Sequence, residues 1–295
     1  MKKIMLIVNP RAGRKEGERL CDRVVGWFRK GGGEVSLFLT AKPRDATDFV
    51  LRDGRSHDVI VCMGGDGTLN EVINGILRGR LDIPLGYIPA GSTNDFATSM
   101  RISHSPQQAV TDILRGRTRT IDAGQFNDRY FSYVASFGAF TRTSYNTPQD
   151  LKNLLGRFAY FLEGARDISD IHPESMRVTA GGRVFEGDYA FGAISNSHSI
   201  GGLVRYANEE VDISDEKLEM LLIRMPDSLG ILISELHSLN HQLYFDSPHM
   251  DFCRADRFEV ASEHHIDWSL DGELYRAERV SVVSCIKNRL RFIIP

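Results

Sequence analysis

Apolar and polar residues follow one another in blocks along the first part of the chain, as they do in α/β proteins. Residues 59–63 are apolar throughout, which is typical of a parallel strand covered on both of its faces. Directly after them, the apolar residues between Leu69 and Leu77 recur at the i, i+3, i+4, i+7 and i+8 positions of an amphipathic helix. The pattern therefore predicts a buried strand that leads at once into a helix.

The same alternation of strand and helix patterns extends over residues 1–124. Further strands are predicted at residues 4–8, 35–39 and 85–88, and further helices around residues 20–28, 45–51 and 106–114. Strands that alternate with helices in this way form a parallel, Rossmann-like sheet with helices on both faces. We therefore expect an N-terminal α/β domain over residues 1–124, with ligands bound beyond the carboxyl ends of its strands.

After about Gly124 the strand patterns are no longer separated by regular helices. Strand-like segments bounded by turn signals are predicted at residues 129–136, 176–180, 184–195, 218–224, 257–261 and 280–285. Two helical patterns interrupt them, at residues 149–165 and 227–239. The apolar stripe of the first, from Leu151 to Leu162, is interpreted as facing the core, with a lipid-facing surface as the alternative. The sequence thus predicts a mostly antiparallel β domain over residues 125–287.

Composition and charge narrow the class of protein. The chain of 295 residues is long enough for two domains, each with its own core. Its net charge of -3, with acids and bases interspersed, offers no basic field, so nucleic-acid binding is not expected. The four cysteines form no Cys-x-x-Cys pair and indicate reduced thiols in the cytoplasm. Because no segment approaches the roughly 18 apolar residues that span a bilayer, any membrane contact is expected to be peripheral.

The candidate chemistry begins in the turn between the predicted central strand and its helix. Residues 64–68 of this turn have the sequence Gly-Gly-Asp-Gly-Thr. Glycine lets a ligand approach the main chain closely, and the amides that open a helix attract phosphate. A carboxylate beside phosphates is repelled unless a cation lies between them, so Asp66 implies Mg2+. The alternative is a plain glycine turn without a ligand.

Two further polar loops occupy equivalent positions in the predicted sheet. Residues 9–15 follow the first strand and contain a turn former, a glycine and three basic residues, and residues 89–95 follow the strand at 85–88. Because the carboxyl ends of parallel strands share one edge of a sheet, we expect both loops to converge with residues 64–68. The sequence therefore predicts a phosphate-binding site at that edge.

Four short motifs are spread over almost the whole chain. They are Asn-Pro-x-Ala-Gly from Asn9, Gly-Gly-Asp-Gly-Thr from Gly64, Pro-x-Gly-Ser-Thr-Asn-Asp-Phe from Pro89 and Leu-Asp-Gly-Glu from Leu270. In this order they resemble the bacterial members of the diacylglycerol kinase and sphingosine kinase superfamily of lipid kinases. The second motif also occurs in NAD kinases and resembles a loop of phosphofructokinases, but the first and the last separate the lipid kinases from these relatives.

The resemblance implies a nucleotide-binding domain of the NAD kinase and diacylglycerol kinase type, followed by an antiparallel β-sandwich that takes the lipid substrate. It also implies that residues 288–295, with a last strand at 290–294, return to the first domain. ATP and Mg2+ are then expected in the cleft between the two domains. The reaction implied is transfer of the γ-phosphoryl group of ATP to a lipid hydroxyl.

The resemblance assigns roles to individual residues. The nucleotide contacts it implies are Asn9, Lys15, Thr40, Gly64, Gly65, Asp66, Gly67, Thr68, Leu69, Asn70, Ser92, Thr93 and Asn94. For Asn9 and Thr40, a cap at a strand end is the alternative. Asp66 is also expected to be catalytic through Mg2+. The base that activates the acceptor hydroxyl is expected at Glu273, with Asp271 as its competitor.

A second metal site is implied by the resemblance, but the sequence departs from the family pattern there. Members of the family hold a structural Mg2+ at an Asp-Gly-x-Leu-Asp segment, through one carboxylate and two backbone carbonyls. Here residues 215–219 have the sequence Asp-Glu-Lys-Leu-Glu. If the site persists, Asp215 supplies the side chain, and Asp212 and Lys217 lie where the carbonyl ligands would fall. Glu216 stands where the family has a glycine able to take a positive φ, so a vacant or altered site is the alternative.

Three functions remain open from the sequence. The first is an ATP- and Mg2+-dependent kinase of a diacylglycerol-like lipid, cytoplasmic and in peripheral contact with the inner face of the membrane. The second is a soluble kinase of the NAD kinase type, and the third is a non-catalytic nucleotide-binding regulator, against which the intact Asp66 and Glu273 argue. The sequence does not distinguish between acceptor lipids, because an apolar pocket leaves no motif. It also leaves the assembly open, a homodimer included.

Overall fold

The computed structural model of the chain describes residues 1–13, 16–92, 94–138, 171–196, 199–200, 204–205, 213–228, 230–231, 234–235 and 247–295. These residues form two compact units. The N-terminal unit consists of Met1–Ala123 and Asn288–Pro295, and the C-terminal unit consists of Gly124–Lys287. Among the described residues, none of the helices has both the length and the apolar character that crossing a membrane requires.

The N-terminal unit is built from alternating strands and helices. Its strands are β1 (Lys2–Val8), β2 (Gly33–Leu39), β3 (Val59–Gly64) and β4 (Leu85–Pro89). Its helices are α1 (Glu16–Lys30), α2 (Asp45–Asp53), α3 (Asp66–Arg78), α4 (Asp95–Ser99) and α5 (Pro106–Arg115). The strands pair in parallel in the order β4-β3-β1-β2. The predicted parallel α/β architecture is thereby confirmed.

Strands β1, β3 and β4 are buried on both faces of this parallel sheet, which explains their unbroken apolar runs, whereas the edge strand β2 is partly exposed. Alternate residues of β1 and β3 pack with α1 and α5 in one cluster, which contains Ile4, Leu6, Val8, Val24, Phe28, Val59, Val61, Met63, Val110 and Ile113. The residues between them, such as Met5, Ile7 and Ile60, are equally buried. The core therefore fixes the strand ends from which the polar loops leave.

The second half of the chain is antiparallel β structure, as expected. Its described strands are β5 (Thr118–Phe126), β6 (Arg129–Phe131), β7 (Val134–Gly138), β8 (Glu174–Ala180), β9 (Arg183–Ser195), β10 (Ser199–Ile200), β11 (Val204–Arg205), β12 (Leu218–Arg224), β13 (Met250–Ala255), β14 (Arg257–Ser262), β15 (Asp267–Leu270), β16 (Glu273–Arg276) and β17 (Val280–Ile293). The order is β16-β15-β7-β9-β8-β14-β17, and β12 lies between β9 and β13. In its core, the Trp268 ring lies 4.8 Å from the rings of both Phe126 and Phe137.

The end of the chain lies in the N-terminal unit. Phe292 of β17 pairs in parallel with Leu85 of β4, and the amide of Ile294 donates to the carbonyl of Arg117 at 2.9 Å. Residues 280–293 form one continuous strand. The two separate strands predicted in this region are therefore a single element.

Other elements differ from the sequence-based expectation. The strand predicted at residues 129–136 is divided into β6 and β7, because Ser132 and Tyr133 lie between them and donate their amides to Asp271. Strand β5 is not among the predicted elements, since polar residues such as the buried Asp122 interrupt its apolar pattern. The helix predicted at residues 149–165 lies outside the described residues, as does most of the one at 227–239. The four cysteines are buried free thiols, as predicted.

Candidate functional site

Three loops follow the carboxyl ends of β1, β3 and β4, and we call them together the glycine-rich edge: residues 9–13, 64–68 and 89–94. The amide of Ala90 donates to the carbonyl of Gly64 at 2.8 Å, which joins the second loop to the third. The side-chain Nδ2 of Asn9 donates to Oγ1 of Thr68 at 3.1 Å, which joins the first loop to the second. The three loops therefore converge, as the parallel topology predicts.

Two glycines allow the main chains of these loops to come close together. A Cβ atom at Gly91 would lie 2.5 Å from Cα of Gly65 and 2.7 Å from Oδ1 of Asn94. Gly13 has a φ of +59°, and a Cβ there would lie 2.6 Å from the carbonyl oxygen of Ala90. A side chain at either position would push the loops apart, so the edge requires glycine at both.

Helix α3 begins at Asp66, directly behind the glycine-rich edge. Its N-cap is Gly65, which has an extended backbone and supplies no side-chain cap. The amide of Leu69 donates to the carbonyl of Gly65 at 3.0 Å, and the amides that precede Leu69 are not used within the helix. Amides at a helix N-terminus, together with the helix dipole, attract anions. This end of α3 therefore has the donor set that a phosphate group requires.

The residues of the predicted nucleotide-contact segment, 64–70, differ in their solvent exposure. Residues 65–67 are partly exposed, whereas residues 68–70 are buried. The side chain of Leu69 belongs to the core, and Oδ1 of Asn70 accepts a hydrogen bond from the side chain of Asn74 at 3.0 Å. The N-cap Gly65 and the first two positions of the helix are thus the ones accessible to a ligand.

Asp66 lies partly buried at the first position of α3 rather than exposed in a loop. Its Oδ1 accepts a hydrogen bond from the amide of Phe96 at 3.3 Å, so the carboxylate links the start of α3 to the start of α4. Carboxylate oxygens are the ligands that Mg2+ prefers, and a cation here would lie beside the helix amides that attract phosphate. The position of Asp66 therefore fits Mg2+ bound together with a nucleotide.

Asn94 shapes the third loop from within. It is buried, has a φ of 53°, and its Oδ1 accepts from the amide of Gly91 at 2.9 Å while its Nδ2 donates to the Gly91 carbonyl at 2.8 Å. The hydroxyl of Tyr87 lies 3.3 Å from the same Oδ1 and 3.2 Å from the Gly64 carbonyl. Tyr87 is not among the predicted site residues, although a tyrosine within an otherwise apolar strand is the signal that indicates it.

The other predicted nucleotide contacts have mixed outcomes. Oδ1 of Asn9 accepts from the amide of Arg11 at 3.0 Å, so Asn9 both organises its own loop and contacts Thr68. The amide of Thr40 donates to the carbonyl of Val8 at 2.9 Å, and its hydroxyl lies 3.5 Å from the same oxygen, as in a strand-end cap. Ser92 is exposed in the third loop. The remaining two contacts, Lys15 and Thr93, lie outside the described residues.

A second group of polar residues surrounds the turn between β15 and β16. Asp271 and Gly272 form this two-residue turn, with φ angles of 49° and 94°. The Asp271 carboxylate is buried and accepts four hydrogen bonds: Oδ2 from the amide and hydroxyl of Ser132 at 2.6 and 2.7 Å, and Oδ1 from the amides of Tyr133 and Val134, both at 3.0 Å. Asp271 therefore fixes this hairpin to the turn between β6 and β7.

Glu273 has different surroundings, although it lies only two positions away. It opens β16, the strand at the edge of its sheet, and its side chain is exposed. An exposed carboxylate can accept a proton from a ligand, whereas the acceptor capacity of Asp271 is committed to donors of the protein. This geometry favours Glu273 as the base. Both assignments stay predictions, as does the placement of the active site between the two domains.

The predicted second metal site does not fit a Mg2+ ion. Oδ1 of Asp215 accepts from the amide of Lys217 at 3.1 Å, and Oδ2 is paired with the guanidinium of Arg254. A metal ion on this carboxylate would lie beside a positive charge. Asp212 lies outside the described residues. Within the described part of the chain, no group of three or more His, Cys, Asp or Glu side chains is arranged to hold a metal ion.

The residues next to Asp215 are balanced by basic side chains of the protein. Glu216 has a φ of 66°, the left-handed conformation that glycine takes without strain, and its Oε2 lies 3.2 Å from Nζ of Lys287. Glu219 is completely buried. Burial raises the pKa of the Glu219 carboxyl to about 8, and the charge of Arg254 opposes this rise. No local pattern in the sequence predicts that Arg254, far along the chain, contacts this segment.

Known proteins match this chain over most of its length. The family profile described as the diacylglycerol kinase catalytic domain matches residues 3–126. A diacylglycerol kinase of Bacillus subtilis (strain 168) is 30% identical over 275 residues, which are 92% of this chain and 90% of the relative. A diacylglycerol kinase of Staphylococcus saprophyticus is 29% identical over 92% of this chain and 89% of its own.

A solved structure supports the fold independently of these sequence matches. The structure, of a protein from Bacillus anthracis str. Sterne, superposes on this chain with a TM-score of 0.83 at 21% sequence identity. The superposition covers 100% of this chain and 95% of the other. Both halves of the fold, the parallel α/β part and the antiparallel β part, are therefore shared with a known protein.

Proposed function

Because this chain belongs to the diacylglycerol kinase family, and is thus a phosphotransferase that acts on an alcohol group, we propose that it transfers the γ-phosphoryl group of ATP to the hydroxyl of a diacylglycerol-like lipid. The observation that carries the nucleotide part is the glycine-rich edge, where three loops converge at the N-terminus of α3. Amides at such a helix end bind phosphate groups. Nucleotide use is also what membership of a kinase family implies.

The chain's own residues position the nucleotide. The backbone at Gly65 and Gly67 is partly exposed and has no side chain, so phosphate oxygens can reach the amides of the first turn of α3. Asp66, at the first position of α3, is the residue that would hold Mg2+ against those phosphates. When bound there, Mg2+ neutralises the charge of the phosphate oxygens. Asn9 and Tyr87 keep the surrounding loops together by their hydrogen bonds to Thr68 and Gly64.

Glu273 supplies the acid–base chemistry at the acceptor. The hydroxyl of an alcohol must lose its proton as its oxygen attacks the phosphorus, and a carboxylate within hydrogen-bond reach accepts that proton. The side chain of Glu273 is exposed, and its backbone is held by the hairpin that Asp271 anchors. The base is therefore presented on a fixed element rather than on a flexible loop.

The acceptor is a lipid, which the protein meets at the surface of a membrane. The named relatives are diacylglycerol kinases, and this supports a diacylglycerol-like alcohol as the acceptor. In this proposal, contact with the lipid is peripheral, at the cytoplasmic face of the inner membrane. Activity should accordingly require the acceptor in vesicles or mixed micelles.

The test is an assay with ATP labelled at the γ-phosphate, Mg2+, and mixed micelles that contain diacylglycerol. Label in an organic-extractable product is the expected result. Transfer of the label to NAD in a parallel reaction would replace the proposal by a soluble kinase of the NAD kinase type. No transfer to any acceptor would point to a non-catalytic nucleotide-binding protein.

The role of Asp66 is tested in the same assay with the variant Asp66→Asn and a matched control variant. We expect Asp66→Asn to lower kcat by at least about 10²-fold, because the charge that holds the cation is lost while the shape is kept. The control is Asp48→Asn, since Asp48 lies exposed in the first turn of the neighbouring helix α2. Equal activity of the two variants would remove Asp66 from the site, even if the kinase activity itself were found.

A further inference from the structure

The segment from Ile213 to Glu219, which we call the acidic loop, leads into β12 and contains three carboxylates. Asp215 and Glu216 lie in the turn, and Glu219 is the second residue of the strand. The Glu219 side chain is completely buried. Burying a carboxylate costs free energy unless the group is protonated or paired with a positive charge, so a cation beside Glu219 would stabilise its ionised form.

Arg254 provides such a charge from the neighbouring strand. It lies directly opposite Glu219 in the antiparallel register of β12 and β13, which fixes its distance from the loop. Its Nε is 3.3 Å from Oε1 of Glu219, close enough for an ion pair although not aligned as a hydrogen bond. Its Nη2 pairs with Oδ2 of Asp215. One guanidinium thus contacts both carboxylates.

Lys287 provides a second positive charge at the same loop. Its Nζ lies 3.2 Å from Oε2 of Glu216 and 3.6 Å from Oδ2 of Asp256. Glu216 has the positive φ that the glycine of the family pattern would adopt, so the turn itself is retained. The turn thus has a positive φ where the family pattern has glycine, and its acidic side chains contact basic residues of the protein.

A divalent cation bound by the Asp215 carboxylate would lie beside the positive charge of Arg254. Mg2+ requires oxygen ligands in octahedral geometry and keeps several of its waters. Here one oxygen of Asp215 is paired with Arg254 and the other accepts the amide of Lys217. We infer that the guanidinium of Arg254 takes the place of a divalent cation at the acidic loop, so that the C-terminal unit holds its shape without a metal ion.

Metal binding to the full-length protein, measured without nucleotide, tests this role independently of kinase activity. Mn2+ is titrated and followed by electron paramagnetic resonance, and thermal unfolding is recorded in Mg2+ and in EDTA. We expect no Mn2+ site that is sensitive to Asp215→Asn, and melting temperatures in Mg2+ and EDTA that agree within about 1 °C. A Mn2+ site, or a Mg2+-dependent rise in melting temperature, that Asp215→Asn abolishes would overturn the inference.

Arg254 itself is tested with a matched pair of variants. Arg254→Gln should lower the melting temperature by about 5–10 °C, because it removes the guanidinium that contacts both Asp215 and the buried Glu219. The control is Arg257→Gln, whose side chain pairs on the surface with Glu259 at 3.1 Å, and it should change the melting temperature by less than about 1 °C. Equal melting temperatures of the two variants would overturn the inference. If Arg254→Gln does not fold, the Mn2+ titration of the wild-type protein decides.

Discussion

The glycine-rich edge and the turns that carry Asp215 and Asp271 in the C-terminal unit differ in how their polar groups are used. At the edge, a backbone hydrogen bond and the side chains of Asn9, Tyr87 and Asn94 join the loops. Gly65 and Gly91 let the main chains of two loops come close together. In the C-terminal unit, Asp271 and Asp215 are each bonded to donors of the protein. The first region has the helix amides that the proposed nucleotide would contact, whereas in the second the carboxylates are bonded to groups of the protein itself.

This difference distinguishes carboxylates that stabilise the fold by hydrogen bonds from carboxylates that are available to accept a substrate proton. A carboxylate that accepts several hydrogen bonds in the native state is stabilised as an acceptor and has little capacity for a substrate proton. The proposed base is therefore expected to be a carboxylate that the fold does not use, and the exposed Glu273 meets this condition. Variants in each of the two regions test this difference.

The largest effect is expected from Glu273→Gln. Loss of a general base typically costs about 10²–10⁴-fold, so kcat should fall by that factor, with the KM for ATP and the melting temperature nearly unchanged. The matched control is Glu278→Gln, because Glu278 is also exposed and follows β16 closely in the chain. A fall in kcat of less than about threefold would refute the assignment. If Asp271→Asn lowered kcat more while the melting temperature stayed the same, Asp271 would be the base.

A large loss of stability, rather than a specific loss of chemistry, is expected from Asp271→Asn. Both carboxylate oxygens face two donors, so either orientation of an asparagine amide places its NH2 group against donors. The free energy of unfolding should fall by about 1.5–3 kcal/mol in urea denaturation. Asp267→Asn is the control, since Asp267 lies exposed on the same strand, β15, and should change the free energy of unfolding by less than about 0.5 kcal/mol.

A smaller effect, confined to the nucleotide side, is expected from Gly91→Ala. The added methyl group would lie 2.5 Å from Cα of Gly65, so the second and third loops must move apart. Overpacking of this kind costs about 1–3 kcal/mol, and we expect it as a rise in the KM for ATP of roughly tenfold. Gly26→Ala is the control, because nothing lies within 4 Å of its added Cβ. A KM for ATP unchanged in Gly91→Ala would contradict the close approach of the loops.

The sequence predicts the fold of the N-terminal half well because its signals are local. Apolar runs, helical spacing and glycine turns identify the strands, and the parallel topology then brings the three loops together. Contacts between distant segments leave no such pattern, which is why Arg254 and the division of residues 129–136 by Ser132 escape prediction. The sequence of residues 64–70 also does not show which positions a ligand can reach. Gly65 and Gly67 are partly exposed, whereas Leu69 packs in the core.

The smallest effect is expected at the link between the first and second loops of the glycine-rich edge. Asn9→Ala removes the hydrogen bond from Nδ2 to Oγ1 of Thr68, a contact of 3.1 Å, and also the acceptor of the Arg11 amide. A single hydrogen bond contributes about 0.5–1.5 kcal/mol, which corresponds to a rise in the KM for ATP of roughly twofold to tenfold. Thr111→Val is the control, since the exposed Thr111 hydroxyl donates to the carbonyl of Gln107 within helix α5 at 3.0 Å, and it should change KM less than about twofold.

A double-mutant cycle shows whether this link acts through Thr68. Thr68→Val removes the acceptor of the Asn9 side chain and keeps the size of the residue. If the two side chains act through their mutual hydrogen bond, the KM of the double variant should be smaller than the product of the single effects predicts, because the bond can be lost only once. Strictly multiplicative effects would mean that Asn9 contacts the nucleotide directly and independently of Thr68. In that case the glycine-rich edge would contact the nucleotide through a side chain as well as through backbone amides. It would then differ less from the turns that carry Asp215 and Asp271, where side chains make the polar contacts.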